Sequence, residues 1–263
     1  MPRTLSVFYC FPRSGGTLLS QCLLCAKSTV VLSEVNPAGS FLPVERQAEK
    51  WFKLITTKEA AKLEKQTYLE KIALVAQRCE SQKRRLCIRD WSAVNFIPRL
   101  SPQAPAASRV LEQRLFLQAA GYEIREVAFL RRSREIFHSV RQHLPGFENY
   151  TLTKFADHYG AYLRAVADCP KFYLEDFRRD SAATLRPLCQ ALGLDFPAGF
   201  ETGFHGQEHV TGNNTLKIKP ASAALARITA GSPAAPVRRE SAADRSAFAE
   251  LDALAGYATP SPS

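Results

Sequence analysis

The chain has 263 residues, of which 46% are hydrophobic and 23% charged, and its formal net charge is +10. This is the composition of an ordinary globular protein, and no apolar run reaches the roughly 18 residues that a membrane helix needs. The excess of basic residues favours an anionic ligand, and a phosphorylated cofactor or an acidic glycan fits it as well as nucleic acid does.

The first residues carry an arginine, but the apolar run after it is too short for a secretory signal peptide, so we expect a soluble cytoplasmic protein. The seven cysteines lie mainly within apolar runs, and Cys22 and Cys25 form the only close pair. A redox or zinc site needs further cysteines or histidines near such a pair. We therefore interpret the cysteines as small buried side chains in a reducing compartment.

Strand and helix patterns alternate along the chain. Apolar and β-branched runs bounded by turn residues predict strands at 5–11, 29–34, 86–91, 126–132 and 171–177. Helical patterns lie at 16–26, 43–82, 108–120, 133–143, 153–168, 180–192 and 241–256. The alternation predicts an α/β fold over residues 1–257, with three αβα layers around a mostly parallel central sheet. We expect residues 258–263 to form a disordered tail.

Each predicted strand ends in polar or charged residues. These residues are Arg13-Ser14, Ser33-Glu34, Arg89-Asp90, Arg131-Arg132 and Glu175-Asp176. The ligands of a parallel sheet gather outside the carboxyl ends of its strands. The pattern therefore predicts a binding site at this edge of the sheet.

The segment Pro12-Arg13-Ser14-Gly15-Gly16-Thr17 separates the first strand from the first helix. A strand, a glycine-containing loop and a helix in this order can hold a phosphate, because the loop amides and the helix dipole both attract an anion. It is not a Walker A motif, since no Lys-Ser/Thr pair follows the second glycine, and this disfavours an ordinary ATPase or GTPase. Taken alone, the segment is also compatible with a simple helix start capped by Ser14.

The same segment, continued to Leu18, resembles the 5′-phosphosulfate-binding loop of the sulfotransferases, P-[RK]-S-G-[TS]-[TS]-x-L. That family uses 3′-phosphoadenosine 5′-phosphosulfate (PAPS) as its sulfuryl donor. Gly16 stands where the family has a hydroxyl residue. The resemblance implies a sulfotransferase fold related to the P-loop nucleoside-triphosphate hydrolases. It also implies that the cofactor is bound by Arg13, Ser14, Gly15, Gly16, Thr17 and Leu18.

A second segment, FLRRSREIFHSVRQH, resembles the 3′-phosphate-binding motif of the family, R-[NDR]-P-x-[DE]-x-x-x-S. Arg131, Glu135 and Ser139 match the motif, and Ser133 replaces its proline. An arginine at a strand end offers a two-pronged donor to a phosphate, and Ser139 lies two helical turns further along the same face. The two motifs occur in the family's order, which strengthens the resemblance.

Two later segments extend the resemblance to about residue 257. Residues 172–194 look like the late strand and helix of the family, and HVTGNNTLKIKP (209–220) resembles its glycine-containing loop over the 3′-phosphate. The resemblance implies that Gly212 and Asn213 contact the nucleotide. It leaves open which cation assists them among Lys217, Lys219 and Arg227.

Sulfuryl transfer resembles phosphoryl transfer, with in-line attack and charge building up on the leaving phosphate. We assign Arg13 to stabilise that charge, and Glu34, where glutamate-using members carry their base, to accept the proton of the acceptor. The alternative for Glu34 is a carboxylate that caps a helix or forms a salt bridge. Asp90 is the competing base, or it pairs with Arg89 or orients the substrate. The histidines are weaker candidates for the base: His138, His143, His158, His205 and His209.

The sequence therefore predicts an enzyme that transfers a sulfuryl group from PAPS to a hydroxyl or amine, releasing 3′-phosphoadenosine 5′-phosphate (PAP), without a metal. A small molecule, glycan, lipid or peptide fits as the acceptor, and we expect neither a nucleic-acid partner nor stable membrane insertion. The two alternatives are a small-molecule P-loop kinase and a nucleotide- or glycan-binding protein without catalytic activity.

Overall fold

The computed structural model describes residues 3–101, 106–212 and 240–258. Its central sheet is formed by the strands β1 (Arg3–Tyr9), β2 (Thr29–Asn36), β3 (Gly39–Ser40), β4 (Arg85–Asp90), β5 (Tyr122–Leu130) and β6 (Lys171–Tyr173). The strand order is β3-β2-β4-β1-β5-β6. All neighbours pair in parallel except the short β3, which is antiparallel to β2. The predicted α/β fold with a mostly parallel sheet is confirmed.

Helices connect the strands and cover the sheet. They are α1 (Gly16–Leu23), α2 (Val44–Arg46), a π-helix (Gln47–Trp51), α3 (Thr57–Leu63), α4 (Tyr68–Ser81), α5 (Ala93–Phe96), α6 (Glu112–Ala119), α7 (Ser133–His143), α8 (Leu152–Ala165), α9 (Leu174–Arg179), α10 (Ser181–Leu192), α11 (Phe200–Gly203), a 3₁₀ turn (Phe204–Gly206) and α12 (Ala242–Ala255). Among the described residues, no helix has the length and apolar character to cross a membrane.

Successive strand residues enter two hydrophobic clusters, one on each face of the sheet. Val7 and Ile88 belong to the cluster that α4, α8 and α12 cover, whereas Phe8 and Cys87 belong to the cluster under α1 and α10. This alternation follows from the two-residue period of a strand. Because helices cover both faces, the fold has the three predicted layers. All seven cysteines are free thiols, and all but Cys25 are buried.

Two predicted elements differ from the structure. The strand predicted at 171–177 ends at Tyr173, and α9 begins at Leu174, so Glu175 and Asp176 lie in the first turn of a helix rather than at a strand end. Acidic residues are stabilised in that first turn by the helix dipole. The helical stretch predicted at 43–82 is divided, because Thr56 and Thr67 each form a capping box that starts a new helix.

The C-terminal helix α12 packs against α7 and α8 at the start of α7. There the Asp252 carboxylate accepts hydrogen bonds from the Ser133 backbone N–H (2.8 Å) and from Arg132 Nη1 (3.3 Å). The Ser133 hydroxyl donates to the Phe248 carbonyl at 3.1 Å. Proline, the family's residue at this position, has neither donor. Ser133 thus anchors the C-terminal helix. The predicted tail, 258–263, lies outside the described residues apart from Ala258.

Candidate functional site

The loop after β1 adopts a left-handed backbone that few residues tolerate. Arg13 has φ +70° and Gly15 φ +95°. A Cβ on Gly15 would also lie 3.0 Å from Leu174 Cδ1, so both backbone angle and space require glycine there. Between them the Ser14 side chain is fully buried, and its hydroxyl has no hydrogen-bond partner within the described part of the chain. The loop therefore presents an unused buried donor at the start of α1.

Two arginines meet beside this loop. The Nη1 of Arg131 donates to the Arg13 carbonyl at 3.0 Å, and the Nε of Arg13 donates to the Ser139 hydroxyl at 3.0 Å. Glu135 holds the Arg131 guanidinium at 2.8 Å. The structure thus brings together the predicted residues of both phosphate motifs. Partial burial and then the positive charge of Arg131 lower the pKa of Arg13, and Arg13 has no ion pair with any described carboxylate.

A third arginine, Arg89, reaches the loop from the end of β4. A Cβ at Gly16 would lie 2.8 Å from Arg89 Nε and 2.4 Å from the Cys10 Sγ, so a larger residue cannot occupy position 16 without moving them. The Nη1 of Arg89 donates to the Thr17 hydroxyl at 3.3 Å. Gly16, the departure from the family's loop, therefore makes room for a buried guanidinium at the start of α1.

Glu34 lies at a β-bulge near the end of β2, where the register with β4 shifts between Ser33 and Val35. Its φ is +53°, which is unusual for a glutamate and costs about 1–3 kcal/mol. The Oε1 of Glu34 pairs with Arg89 Nη2 at 2.8 Å. Burial acts to lower the pKa of Arg89, but the Glu34 charge and the interactions with Cys10 together outweigh it, so the pKa is raised. The predicted base is thus linked to the loop through Arg89.

Gln47, the first residue of the π-helix, supports the bulge from the other side. Its Oε1 accepts the Ser33 N–H at 2.7 Å, and its Nε2 donates to the Ser33 carbonyl at 2.9 Å and to the Leu42 carbonyl at 2.7 Å. Gln47 is fully buried. The Glu34 carbonyl accepts the Phe41 N–H at 3.0 Å. These bonds hold the backbone on both sides of the strained residue.

Gly212 comes within van der Waals distance of α1, and a Cβ there would lie 2.3 Å from Thr17 Oγ1. This contact places Gly212 beside Thr17, in the first turn of α1. Leu18 packs its half-buried side chain against the hydrophobic cluster under α1. Other predicted contacts lie outside the described residues: Asn213, Lys217, Lys219 and Arg227.

Asp90, the competing base, faces the opposite side of the sheet from Arg89. It accepts hydrogen bonds from Asn36 Nδ2 (2.8 Å) and the Ser92 hydroxyl (2.7 Å) and is buried. Burial raises the pKa of Asp90 to about 7, against the lowering effect of these two bonds. The expected pairing of Asp90 with Arg89 is wrong, because the side chains of consecutive strand residues point to opposite faces.

The five histidines considered as bases lie in different surroundings. His138 lies 3.5 Å from Glu240, His158 bonds the Tyr150 hydroxyl, and His205 is exposed. His143 is exposed near Arg13; slight burial and then the Arg13 charge lower its pKa. His209 stacks on Trp51, with 6.1 Å between the ring centres.

The aromatic residues around the segment that joins β2 to β4 have mixed surroundings. Phe52 is buried in the core, and the half-buried Tyr68 bonds Gln113. Next to Glu34, however, Phe41 is 66% exposed and packs edge-on against Trp91. The hairpin of β2 and β3 therefore joins the backbone of an exposed aromatic residue to that of the predicted base, and the apolar run at 29–34 gave no sign of that short hairpin.

Arg89 is the site residue whose role sequence reasoning missed. The sequence pattern marked it only as part of a polar strand end and as a possible partner of Asp90. Gly16 is the sequence feature that could have indicated Arg89. A glycine in place of a larger residue, in a loop that otherwise matches, indicates that another group fills the space. Ser33 and Thr211, which also contact Arg89, carried no comparable signal.

Two solved structures resemble this chain over almost its whole length. The sulfotransferase domain of the Synechococcus PCC 7002 olefin synthase is 17% identical with a TM-score of 0.52, and the match covers 98% of this chain and 96% of that one. The sulfotransferase domain from the curacin biosynthetic pathway is 14% identical with a TM-score of 0.63, covering 99% of both chains. A scan of protein-family models and a search of curated protein sequences give no match. The chain has the sulfotransferase fold, as its motifs predicted.

Proposed function

We propose that this protein is a sulfotransferase that moves a sulfuryl group from PAPS to a hydroxyl or amine acceptor by in-line displacement. The observation that carries the proposal is the unneutralised Arg13 beside Arg131, on a strained loop at the start of a helix. Two guanidinium groups repel each other, and a bound anion with several charges removes that repulsion. A nucleotide with phosphate groups at both ends of its ribose is such an anion.

The residues at the loop fit this nucleotide. The buried Ser14 hydroxyl is an unsatisfied donor, and leaving a buried donor unpaired costs about 1–3 kcal/mol. The left-handed backbone at Gly15 shapes the loop so that its N–H groups and those of the first turn of α1 would hold phosphate oxygens. Arg131 and Ser139 would hold the 3′-phosphate. PAPS supplies an activated sulfuryl group whose leaving group is a phosphate.

Three residues of the protein would each have a separate role in this transfer. Arg13 donates hydrogen bonds to the leaving phosphate oxygen, where negative charge increases in the transition state. The acceptor's oxygen or nitrogen forms a bond to sulfur while the bond from sulfur to the phosphate oxygen breaks. Glu34 takes the proton that the attacking oxygen or nitrogen loses. Arg89 holds the Glu34 carboxylate at a fixed place relative to α1.

Calorimetric titration with PAP tests the nucleotide site. Wild type should bind PAP, Arg131→Ala should bind it about 10- to 100-fold more weakly, and ATP should show no response to magnesium. Arg141→Ala is the matched control, because it removes the same charge from an exposed position on α7. Its affinity for PAP should stay close to that of wild type.

Other outcomes favour one of the alternatives. Tight binding of magnesium-ATP without binding of PAP would establish a kinase in place of the sulfotransferase. Binding of PAP without turnover on a panel of sugar, lipid, peptide and small-molecule acceptors would favour a binding protein.

The base assignment has its own test, which compares Glu34→Gln with wild type in PAP affinity and in turnover. We expect turnover to be lost while PAP affinity is kept, because Glu34 pairs with Arg89 and not with the Arg13–Arg131 pair. Unchanged turnover would remove Glu34 from the mechanism.

A further inference from the structure

Thr211 is bonded to the candidate site through each of its three polar atoms. Its N–H donates to the Ser33 hydroxyl at 3.1 Å, and its carbonyl accepts from Thr17 Oγ1 at 3.1 Å and from Arg89 Nη1 at 3.2 Å. Its hydroxyl donates to Glu34 Oε2 in a short hydrogen bond and lies 2.8 Å from the Ser33 hydroxyl. Thr211 is 6% exposed, so these bonds are shielded from water.

We propose that Thr211 is the positioning residue of Glu34: its hydroxyl fixes the direction of the carboxylate while its backbone ties that carboxylate to the phosphate loop. The inference rests on the proposed function, in which Glu34 accepts a proton. It assigns a role to a residue that lies within the 209–220 segment but that neither the loop motif after β1 nor the predicted strand ends include.

The direction of the carboxylate is set from two sides. Arg89 holds Oε1 and Thr211 holds Oε2, so the carboxylate cannot rotate without breaking one of these bonds. The Thr211 hydroxyl has a single proton, which goes to Glu34, and Ser33 donates its own proton to Thr211. The Glu34 side chain remains 18% exposed, and each of its oxygens accepts one of these two bonds and so keeps a second lone pair for the proton of an acceptor hydroxyl. A general base works only within hydrogen-bond reach of the proton it takes.

The backbone of the same residue fixes the distance to the loop. Because the Thr211 carbonyl accepts from Thr17, the segment that holds Glu34 is attached to the first turn of α1. The next residue, Gly212, has φ +103° and touches the Thr17 hydroxyl, and a side chain there would separate the two. The carboxylate and the loop are thus joined through one residue, independently of the ion pair with Arg89.

Thr211→Val tests the role of the hydroxyl, since valine keeps the shape and loses the donor. We expect turnover to fall about 10- to 100-fold, the effect of losing a hydrogen bond to a charged group. The KM for the acceptor and the affinity for PAP should change little, because the Thr211 backbone bonds remain. Thr211→Ser should restore most of the turnover, since it returns the hydroxyl.

Thr29→Val is the matched control. Thr29 is equally buried, at the other end of β2, and its hydroxyl has no partner among the described residues. Both variants replace a buried hydroxyl by a methyl group. Because the Thr29 hydroxyl bonds no described residue, Thr29→Val should keep wild-type turnover. A loss there equal to that of Thr211→Val would mean that the exchange itself harms the sheet, and it would overturn the proposal.

A thermal-unfolding cycle tests the bond without any activity. Thr211→Val and Glu34→Ala should each lower Tm, and the double variant should lower it by less than the sum, because both remove the same hydrogen bond. Strictly additive shifts, wild-type turnover in Thr211→Val, or Thr211→Ser as slow as Thr211→Val would each overturn the proposal. If wild type fails to bind PAP, the sulfotransferase assignment fails, whereas the cycle still decides whether Thr211 holds Glu34.

Discussion

Replacing Ser133 by proline would restore the family's residue at the start of α7, and we expect it to destabilise this protein. The backbone itself accepts proline. Ser133 is the first residue of the helix, and Arg132 before it has φ −54° and ψ 134°, an extended conformation that a following proline favours. The cost therefore comes only from the two donors that hold the C-terminal helix.

The magnitude follows from those two hydrogen bonds. The N–H bond to the Asp252 carboxylate contributes about 1.5–3 kcal/mol because its acceptor is charged, and the hydroxyl bond to the Phe248 carbonyl contributes about 0.5–1.5 kcal/mol. Proline returns about 0.4–1 kcal/mol by stiffening the unfolded chain. We expect a net loss of about 2–3 kcal/mol for Ser133→Pro. Ser133→Ala loses the hydroxyl alone and should cost about 1 kcal/mol.

Urea unfolding followed by circular dichroism measures both variants under identical conditions. The difference between Ser133→Pro and Ser133→Ala gives the contribution of the backbone N–H bond minus the gain from the stiffer unfolded chain. If the two variants unfold at the same urea concentration, the N–H bond to Asp252 adds no more than the roughly 0.4–1 kcal/mol that proline returns, and our account of why this chain has no proline at position 133 is refuted.

Two further predictions concern Gly16 and Asp90. Gly16→Ser, which returns the family's hydroxyl, should lower the stability by about 1–3 kcal/mol and weaken PAP binding, because its Cβ would overlap Cys10 and Arg89. Thermal unfolding and calorimetry measure both effects, and Gly206→Ser, which has open space, is the control. Asp90→Asn should flatten the pH dependence of stability. Burial raises the Asp90 pKa from 3.8 to about 7, so between these pH values the folded state holds a proton that the unfolded state has released. The unfolding free energy of wild type therefore falls as pH rises from 3.8 to about 7, by about 4 kcal/mol in all.

These two predictions fail under clear conditions. Equal melting temperatures for Gly16→Ser and Gly206→Ser would show that the space at position 16 is not filled as described. Urea unfolding at about pH 5 and about pH 8 tests the prediction for Asp90→Asn. If Asp90→Asn loses as much stability between these pH values as wild type does, another group causes the decline.

The loop after β1 and the helix α7 were predictable because each lies within one short segment. Local chemistry is enough there: glycines for the backbone angles, and an arginine and a serine two helical turns apart. The bounds of α7, 133–143, match the prediction for the same reason. The end of β6 was predicted less well, since Leu174 and Phe177 suit a buried strand and a buried helix equally.

The link from Glu34 to the loop was not predictable in the same way. The link depends on the strand order β2-β4-β1, which places Arg89 between Glu34 and Gly16. It also depends on a β-bulge that no residue type in the sequence indicates. Thr211 joins the site from a position far along the chain. Such contacts depend on how the sheet is assembled, and pattern reading treats each segment separately.

The positive φ of Glu34 sets the preference of the backbone against the ion pair of the side chain at one residue. A left-handed backbone favours glycine at position 34, whereas removing the carboxylate would leave the buried Arg89 guanidinium without its ion-pair partner. Engineering this protein for heat resistance by relieving the backbone angle at position 34 would therefore leave Arg89 unpaired as well as remove the proposed base. In a library ranked by melting temperature, variants that replace Glu34 should persist only when Arg89 is replaced as well.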